Sequence, residues 1–262
     1  MGKKSKIAAL REVSPLSEDD RFSYTESFRT LRTNLMFGLV QREKKRFLVT
    51  SALPSEGKTA TAFNLSVVFA QTGVKVLLVD ADMRNPKVHR YIKQKNDKGL
   101  SAVLSGTLDV SSAVTATEYE NLWVLKAGQL PPNPAELLEG KYAERTFAEM
   151  QEKFDYVIFD TPPVNLVSDA LSIAKKSTAI LFVVREGVST HEELKKSLRA
   201  IEQADLDFLG IVLNDSKAEK SSRYYKRKYS YKYGYGYGYG YGYSPKKDKN
   251  RGEIDEVSRK DA

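Results

Sequence analysis

The chain of 262 residues contains no cysteine, two histidines and one tryptophan. The absence of cysteine excludes a disulfide-stabilised secreted scaffold, a thiol nucleophile and any cysteine-ligated zinc or iron–sulfur site. The histidines, His89 and His191, lie far apart, which disfavours a histidine-rich metal site. No hydrophobic run approaches the roughly 18 residues of a membrane span, and the amino terminus has no apolar signal-peptide core. We therefore predict a cytoplasmic, soluble protein, with any membrane association either peripheral or through a partner.

The positive charge of the chain is concentrated at its carboxyl end. The whole chain has a net charge of +8. Residues 217–262 contain 13 Lys/Arg and 6 Asp/Glu, whereas residues 1–216 contain 29 Lys/Arg and 28 Asp/Glu. The body is nearly neutral and the tail is basic, so the pI of about 9.3 does not indicate a nucleic-acid-binding core.

The composition of the chain predicts that it has three segments. Residues 1–20 are polar and read as a flexible arm, and residues 21–216 carry the apolar periodicity of one folded domain. Residues 217–262 are predicted to be a disordered, basic, tyrosine-rich tail, because Tyr and Gly alternate over 231–243 and no apolar period is present.

Apolar runs alternate with helical patterns along the domain. The runs predict strands at residues 46–51, 76–79, 123–125, 154–159, 179–184 and 209–213. The patterns predict helices at residues 22–37, 57–73, 134–153, 168–176 and 190–203. Continuously apolar strands separated by amphipathic helices predict an α/β fold, with a mostly parallel sheet covered by helices on both faces. Ligands of such sheets bind at the carboxyl ends of the strands.

A phosphate-binding loop follows the first predicted strand. Residues 52–59 read Ala-Leu-Pro-Ser-Glu-Gly-Lys-Thr, the relaxed form of the P-loop, between a strand and a helix. Backbone N–H groups of such a loop cradle phosphates, its lysine reaches the β- and γ-phosphates, and its Thr hydroxyl coordinates Mg²⁺. The alternative is a chance Gly-Lys-Thr in a loop, which the strand–loop–helix context disfavours. We predict that ATP and Mg²⁺ bind here, with nucleotide contacts from Ser55, Glu56, Gly57, Lys58, Thr59 and Ala60.

Carboxylates end two other predicted strands. Asp160 closes an apolar strand in the manner of a Walker B aspartate, and Asp80 and Asp82 follow the strand at residues 76–79. An isolated Asp at a strand end more often starts a turn or caps a helix. Beside a P-loop in a parallel sheet, however, these carboxylates would face the metal and the γ-phosphate, where one could accept the proton of an attacking hydroxyl.

These segments together resemble the bacterial tyrosine kinases, P-loop proteins related to the MinD/ParA-type ATPases. Residues 52–59, 80–84 and 157–160 are similar to the Walker A, Walker A′ and Walker B motifs of that family. Residues 26–32 fit its ExxRxxR motif, and residues 131–138 resemble its PPNPxELL segment. The resemblance runs from about residue 22 to the tail with no fused transmembrane adaptor, as in capsule-synthesis kinases of the CpsD/CapB type.

The resemblance implies a role for each matching residue. The catalytic set would be Lys58, Asp80, Asp82 and Asp160, with Asp80 as the base and with Thr59, Asp82 and Asp160 holding the metal. Arg84 and Asn214 would contact the nucleotide, Asn214 near the adenine. Glu26, Arg29 and Arg32 would contact a neighbouring subunit in a ring-shaped homo-oligomer, although their spacing alone also fits a solvated, salt-bridged helix face.

The resemblance also implies what the tail does. The family phosphorylates its own tyrosine cluster in trans, which here contains Tyr224, Tyr225, Tyr229, Tyr231, Tyr233, Tyr235, Tyr237, Tyr239, Tyr241 and Tyr243. The implied output is control of capsular or extracellular polysaccharide synthesis and export. The implied partners are a membrane adaptor with an activating cytoplasmic segment, at the inner face of the membrane, and a cognate tyrosine phosphatase.

Two other functions remain open at this point. A MinD/ParA-like ATPase switch would use the same nucleotide site without phosphorylating tyrosine, but the second lysine typical of those loops is replaced by Leu53. A nucleic-acid-binding module could use the interleaved Tyr, Gly and Lys/Arg of the tail for base stacking. That module leaves residues 80–84 unexplained, so we expect no specific nucleic-acid partner.

Overall fold

The computed structural model describes residues 18–42, 45–175 and 179–216. The chain divides into two units between Lys217 and Ala218. The predicted tail, and residues 1–17 of the predicted arm, lie outside the described residues. Among those that are described, no helix combines the length and the apolar composition that crossing a bilayer requires.

The described residues form seven strands and nine helices. The strands are β1 (Arg46–Ser51), β2 (Val76–Asp80), β3 (Val114–Ala116), β4 (Leu122–Leu125), β5 (Tyr156–Asp160), β6 (Ala179–Arg185) and β7 (Phe208–Asn214). The helices are α1 (Glu18–Leu39), α2 (Lys58–Ala70), α3 (Val88–Tyr91), α4 (Leu100–Leu104), α5 (Val110–Ala113), α6 (Pro134–Glu139), α7 (Ala143–Lys153), α8 (Asp169–Ala174) and α9 (His191–Gln203).

The strands make one sheet in the order β3-β4-β2-β5-β1-β6-β7. Every pairing is parallel except that of β3 with β4. The predicted fold class, a mostly parallel sheet with helices on both faces, is therefore confirmed. The antiparallel strand β3 was not predicted, because three residues are too few to show a strand periodicity.

Successive residues of each strand pack on opposite faces of the sheet, in two separate hydrophobic cores. Leu77, Val79 and Phe159 pack on one face with helices α4 to α9, while Leu78 and Ile158 pack on the other with α1 and α2. This alternation is the period of two that a pleated strand imposes. Both faces are apolar, which is why the strands read as continuous hydrophobic runs rather than as alternating ones.

Two helix predictions differ from the structure. Helix α1 begins at Glu18 and extends to Leu39, which is fully buried, and is therefore longer than the predicted helix at residues 22–37. The single helix predicted over residues 134–153 is two helices, because Gly140 ends α6 in an extended conformation with ψ 164°. The apolar spacing continues across the break, so periodicity alone does not reveal it.

Three functional segments end at the same edge of the sheet. Asp80 is the last residue of β2 and pairs in register with Asp160, the last residue of β5, which in turn lies beside Val49 of β1. The loop after β1 is the P-loop. The parallel topology therefore brings the P-loop and both strand-end aspartates together, as the sequence predicts.

Gly99, at the start of α4, should tolerate no side chain. A Cβ there would lie 2.1 Å from the carbonyl oxygen of Lys126 and 2.4 Å from the backbone nitrogen of Gly128. We expect Gly99→Ala to destabilise the protein by about 1–3 kcal/mol, because backbone must move to relieve the overlap. Urea unfolding measures this, and equal stability of Gly99→Ala and wild type would contradict the close approach. The control is Gly38→Ala on exposed α1, where the nearest atom is a leucine methyl at 3.4 Å.

Candidate active site

The P-loop turns sharply just before α2. Gly57 has a φ of +94°, which favours glycine, and a Cβ at that position would lie 2.2 Å from the side-chain nitrogen of Asn214. Ser55 also has a positive φ, of 65°. The turn presents the amino terminus of the 13-residue helix α2 to the carboxyl edge of the sheet. Free N–H groups and the helix dipole make such a turn a phosphate site.

Glu56 anchors the loop from inside the protein. Its side chain is fully buried and accepts hydrogen bonds from the backbone N–H of Leu53 at 2.8 Å and from the hydroxyl of Ser189 at 2.6 Å. Its backbone oxygen accepts a hydrogen bond from the Asn214 amide at 2.9 Å. The predicted nucleotide contact of Glu56 would therefore come from its backbone, while Asn214 also braces the loop.

Asp80 and Asp160 form a buried carboxylate pair. Both are 1% exposed or less. One oxygen of Asp80 accepts hydrogen bonds from the backbone N–H groups of Lys87 and Val88, at 3.1 and 2.9 Å. Burial, followed by the charge of Asp160, raises the pKa of Asp80 well above its usual value. Burial raises the pKa of Asp160 to about 7, against the lowering effects of a Thr59 hydrogen bond and the charge of Lys58.

Lys58 supplies positive charge that acts on Asp82 and Asp160. Its side chain is largely buried, which lowers its pKa, while the charges of Asp160 and Asp82 raise it. Lys87 also acts on Asp82 and Asp160 electrostatically. The sequence analysis missed Lys87, since only the loop that folds back onto Asp80 brings it near the site.

Asp82 is the most accessible of the three aspartates. It is partly exposed and accepts a hydrogen bond from the backbone N–H of Asn85 at 3.0 Å. Asp80, predicted as the base, has no exposed surface. The role of Asp80 stays a prediction, and the exposures favour Asp82 for direct contact with an acceptor hydroxyl.

Arg84 is bound to a buried carboxylate that the sequence analysis missed. Its guanidinium donates two hydrogen bonds to Asp169, at 2.8 and 3.0 Å. The Asp169 side chain has no exposed surface, whereas that of Arg84 is 44% exposed. The pair ties the loop after β2 to the start of α8. Asp is common in the first turn of helices, where it stabilises the helix end. Nothing in the sequence therefore distinguishes Asp169 from an Asp that has only this role.

The three charged residues of α1 have different environments. Glu26 and Arg29 form an ion pair with each other, and both side chains are nearly half exposed. Arg32 donates a hydrogen bond to the backbone oxygen of Val68 in α2, at 2.9 Å. Arg32 thus helps to fasten α1 onto the domain. The predicted contact of this face with a neighbouring subunit stays a prediction.

The donor set fits Mg²⁺ and a nucleotide. One oxygen each of Asp80 and Asp160 is buried without a hydrogen-bond partner, and an unpaired buried oxygen of this kind is costly unless a cation or water satisfies it. Mg²⁺ is usually bound by one or two carboxylates together with substrate phosphates. Thr59, Asp82 and Asp160 supply such oxygens beside the phosphate-binding turn. Within the described part of the chain, no three His, Cys, Asp or Glu side chains form a metal cluster by themselves.

Removing the charge of Asp80 should stabilise the protein without ligand. Because the pKa of Asp80 is raised on folding, the folded state binds a proton that the unfolded chain has lost, so stability falls as pH rises above about 4. We expect Asp80→Asn to raise the Tm by about 2–6 °C without Mg²⁺ and nucleotide, and more at pH 8 than at pH 5. Differential scanning fluorimetry measures this. The control, Asp82→Asn, should gain less, and a lower Tm for Asp80→Asn at pH 8 would refute the repulsion.

Weakening the Arg84–Asp169 pair should loosen the loop that carries Asp82. In Asp169→Asn only one acceptor oxygen remains for the two guanidinium hydrogen bonds. Hydrogen bonds to charged groups contribute about 1.5–3 kcal/mol, so we expect roughly tenfold or greater loss of Mg–ADP affinity by titration calorimetry. Ser168→Ala, at the exposed neighbouring position, is the control. Unchanged affinity in Asp169→Asn would show that the pair does not position the site.

Comparison with known proteins identifies relatives of this chain. Residues 55–208 match the family model described as an AAA domain. The chain is 42% identical over 214 residues to the tyrosine-protein kinase YwqD of Bacillus subtilis, covering 82% of this chain and 90% of that protein. It is 37% identical over 190 residues to the tyrosine-protein kinase CpsD of Streptococcus pneumoniae, covering 72% and 83%.

Solved structures agree with these relatives. The chimerical protein CapA2B2 superposes with a TM-score of 0.72 at 34% identity, over 82% of this chain and 92% of that one. The cell division ATPase MinD of Pyrococcus furiosus superposes with a TM-score of 0.58 at 26% identity, over 67% and 73%. Sequence identity and TM-score are both higher for CapA2B2 than for this MinD. The chain belongs to the bacterial tyrosine-kinase family of the CpsD/CapB type.

Proposed function

We propose that the protein is an ATP-dependent protein-tyrosine kinase that phosphorylates the carboxyl-terminal tyrosine cluster of a neighbouring copy. This phosphorylation regulates the synthesis and export of a capsular or extracellular polysaccharide. The observation that carries the proposal is the placement of Lys58, Asp80, Asp82 and Asp160 around one phosphate-binding turn. The same chain contains ten tyrosines between residues 224 and 243.

The site contains the groups that phosphoryl transfer needs. This reaction depends on positioning and on neutralising phosphate charge more than on covalent chemistry. Lys58 and the amino terminus of α2 would bind the phosphates, and Thr59 and Asp160 would hold Mg²⁺, which would neutralise charge on the transferred group. Asp82, which the family resemblance predicts as a metal ligand, is partly exposed, and we propose it instead of Asp80 as the group that accepts the proton of the tyrosine hydroxyl. Tyrosine has a pKa of about 10, so a carboxylate assists transfer without full deprotonation beforehand.

The partners follow from family membership and from the surface of α1. The half-exposed Glu26–Arg29 pair supports a contact between subunits of a ring-shaped homo-oligomer. A membrane adaptor with a cytoplasmic segment activates the kinase and places it at the inner face of the membrane, and a cognate phosphatase removes the phosphates. Family membership is what supports the adaptor and the phosphatase.

The competing ATPase switch is less well supported. Leu53 occupies the position of the second lysine of partitioning ATPases, and its side chain packs against the hydrophobic core beside the sheet. A packed leucine supplies no charge to a phosphate. The switch also gives no role to a tyrosine cluster.

Phosphate mapping of the full-length chain tests the proposal. After incubation with Mg–ATP, we expect mass spectrometry to find phosphate on several tyrosines between residues 224 and 243, and none in Lys58→Ala, which lacks the cation that binds the phosphates. For transfer in trans, Lys58→Ala is mixed with a chain whose ten tail tyrosines are Phe. Phosphate should then appear on the Lys58→Ala tail.

Two outcomes would contradict the proposal. ATP hydrolysis by wild type with no phosphotyrosine would favour the ATPase switch. Phosphate on wild type alone, and none on Lys58→Ala in the mixture, would rule out transfer between copies.

A further inference from the structure

A groove that the proposed mechanism does not use lies between α4 and the loop after β4. It has a volume of about 850 Å³. One wall is the loop after β4, with Leu130, Pro131 and Pro132, and the other includes Ser101 of α4 and Ser105, which follows that helix. We call it the proline groove. The Leu130 side chain is 60% exposed, so a large apolar surface stands open beside two prolines.

Hydrogen bonds to the backbone hold the two walls of the proline groove together. Asn96 makes two hydrogen bonds to the backbone of Gly128, both at 2.8 Å. The backbone N–H of Leu100 donates to the oxygen of Lys126 at 2.7 Å. The ammonium of Lys126 donates to the backbone oxygen of Lys95 at 2.7 Å. These bonds hold the loop and α4 together, so the groove is formed before any ligand enters.

The proline groove is a neighbour of the carboxylate cluster. Strand β4 lies beside β2, and its last residue, Leu125, pairs with Val79, the residue before Asp80. Adjacent strands are about 4.8 Å apart. The loop that lines the groove therefore starts one strand away from Asp80, on the same edge of the sheet.

We propose that the proline groove binds one tyrosine ring of residues 231–243 of a second copy, while another tyrosine of that segment reaches the carboxylate cluster. This inference rests on the proposed kinase function. Tyr and Gly alternate in the segment, so in an extended chain the rings share one side and repeat about every 7 Å. A tyrosine two or four positions from the acceptor therefore reaches a neighbouring site at the same edge.

The chemistry of the groove suits a tyrosine ring. Proline faces and a leucine side chain form an apolar surface for an aromatic ring, and hydroxyl and amide groups at Ser101, Ser105 and Asn133 can bond the phenol oxygen. The lining contains two carboxylates, Asp97 and Glu136, and one lysine, Lys98, and Asp97 is also paired with Lys126 at 2.9 Å, so little net charge remains. Recognition then depends on ring contact rather than on the basic charge of the tail.

The chain is long enough to make this contact between copies. The last described residue, Ser216, follows β7, whose end lies on the same edge as the site. The chain from Ser216 to Tyr231 can span up to about 50 Å. Five strand spacings, about 24 Å, separate β7 from β4 within one copy, so this span exceeds the width of one sheet and extends to a copy that adjoins it.

Peptide kinetics test the proposal with Leu130→Asp, which places a charge on an exposed groove residue. The enzyme is the full-length chain with its ten tail tyrosines changed to Ser, so that no tail competes. One peptide has the sequence of residues 231–243, and in the other every tyrosine except Tyr237 is Ser. We expect Leu130→Asp to raise KM about tenfold for the first peptide, with kcat unchanged, and to leave KM for the second unchanged. Val40→Asp, a similarly exposed apolar position just after α1, is the control.

A binding measurement without ATP separates this inference from the proposed function. Fluorescence anisotropy of the labelled first peptide should show about tenfold weaker binding to Leu130→Asp than to Val40→Asp, whether or not phosphate is transferred. Equal binding by the two variants, or an equal loss of affinity for both peptides, would overturn the groove as a tyrosine site. Absence of transfer to both peptides would instead count against the kinase function, and the anisotropy result would still decide the role of the groove.

Discussion

The repulsion between two buried carboxylates is the constraint on which the site depends. Asp80 and Asp160 end adjacent parallel strands in register, and burial together with mutual charge raises the pKa of Asp80 well above its usual value. The arrangement costs stability in the absence of a cation. It persists because Lys58 and the backbone N–H groups of Lys87 and Val88 compensate part of the charge. The charge repulsion that remains favours binding of Mg²⁺ in the pocket. Because Mg²⁺ binds the folded state, its binding raises the stability of the protein.

Long-range contacts hold the loops around this pair. The Asn214 amide bonds the backbone of Glu56, 158 residues away in sequence, and Ser189 bonds the Glu56 carboxylate across 133 residues. Arg84 and Asp169 are 85 residues apart. The ends of β6 and β7 and the start of α8 therefore position the P-loop and the Asp82 loop, although they contain none of the Walker motifs. Reacting groups must be held in a defined geometry, and contacts of this kind behind the loops hold them there.

The sequence was sufficient for features that depend on local patterns. Apolar runs located six of the seven strands, and the P-loop and both strand-end aspartates lie together because parallel strands share an edge. Features that depend on side-chain pairing between distant segments were missed. Asp169 resembles any acidic residue in a first helical turn, and Glu56 in a P-loop suggests phosphate contact when its carboxylate is an internal anchor. The break at Gly140 was missed because the apolar spacing continues through it.

The comparison with MinD shows where specificity between a switch and a kinase can arise. The two chains superpose with a TM-score of 0.58, and phosphoryl transfer to water or to tyrosine uses similar charge stabilisation. The difference must then lie in which hydroxyl is delivered to the site. In this chain Leu53 packs against the core at the position of a switch lysine, and an open groove of leucine and proline lies along the loop after β4, the strand beside β2. Under the proposed function, acceptor choice depends on aromatic contacts beside the site rather than on a different arrangement of the reacting groups.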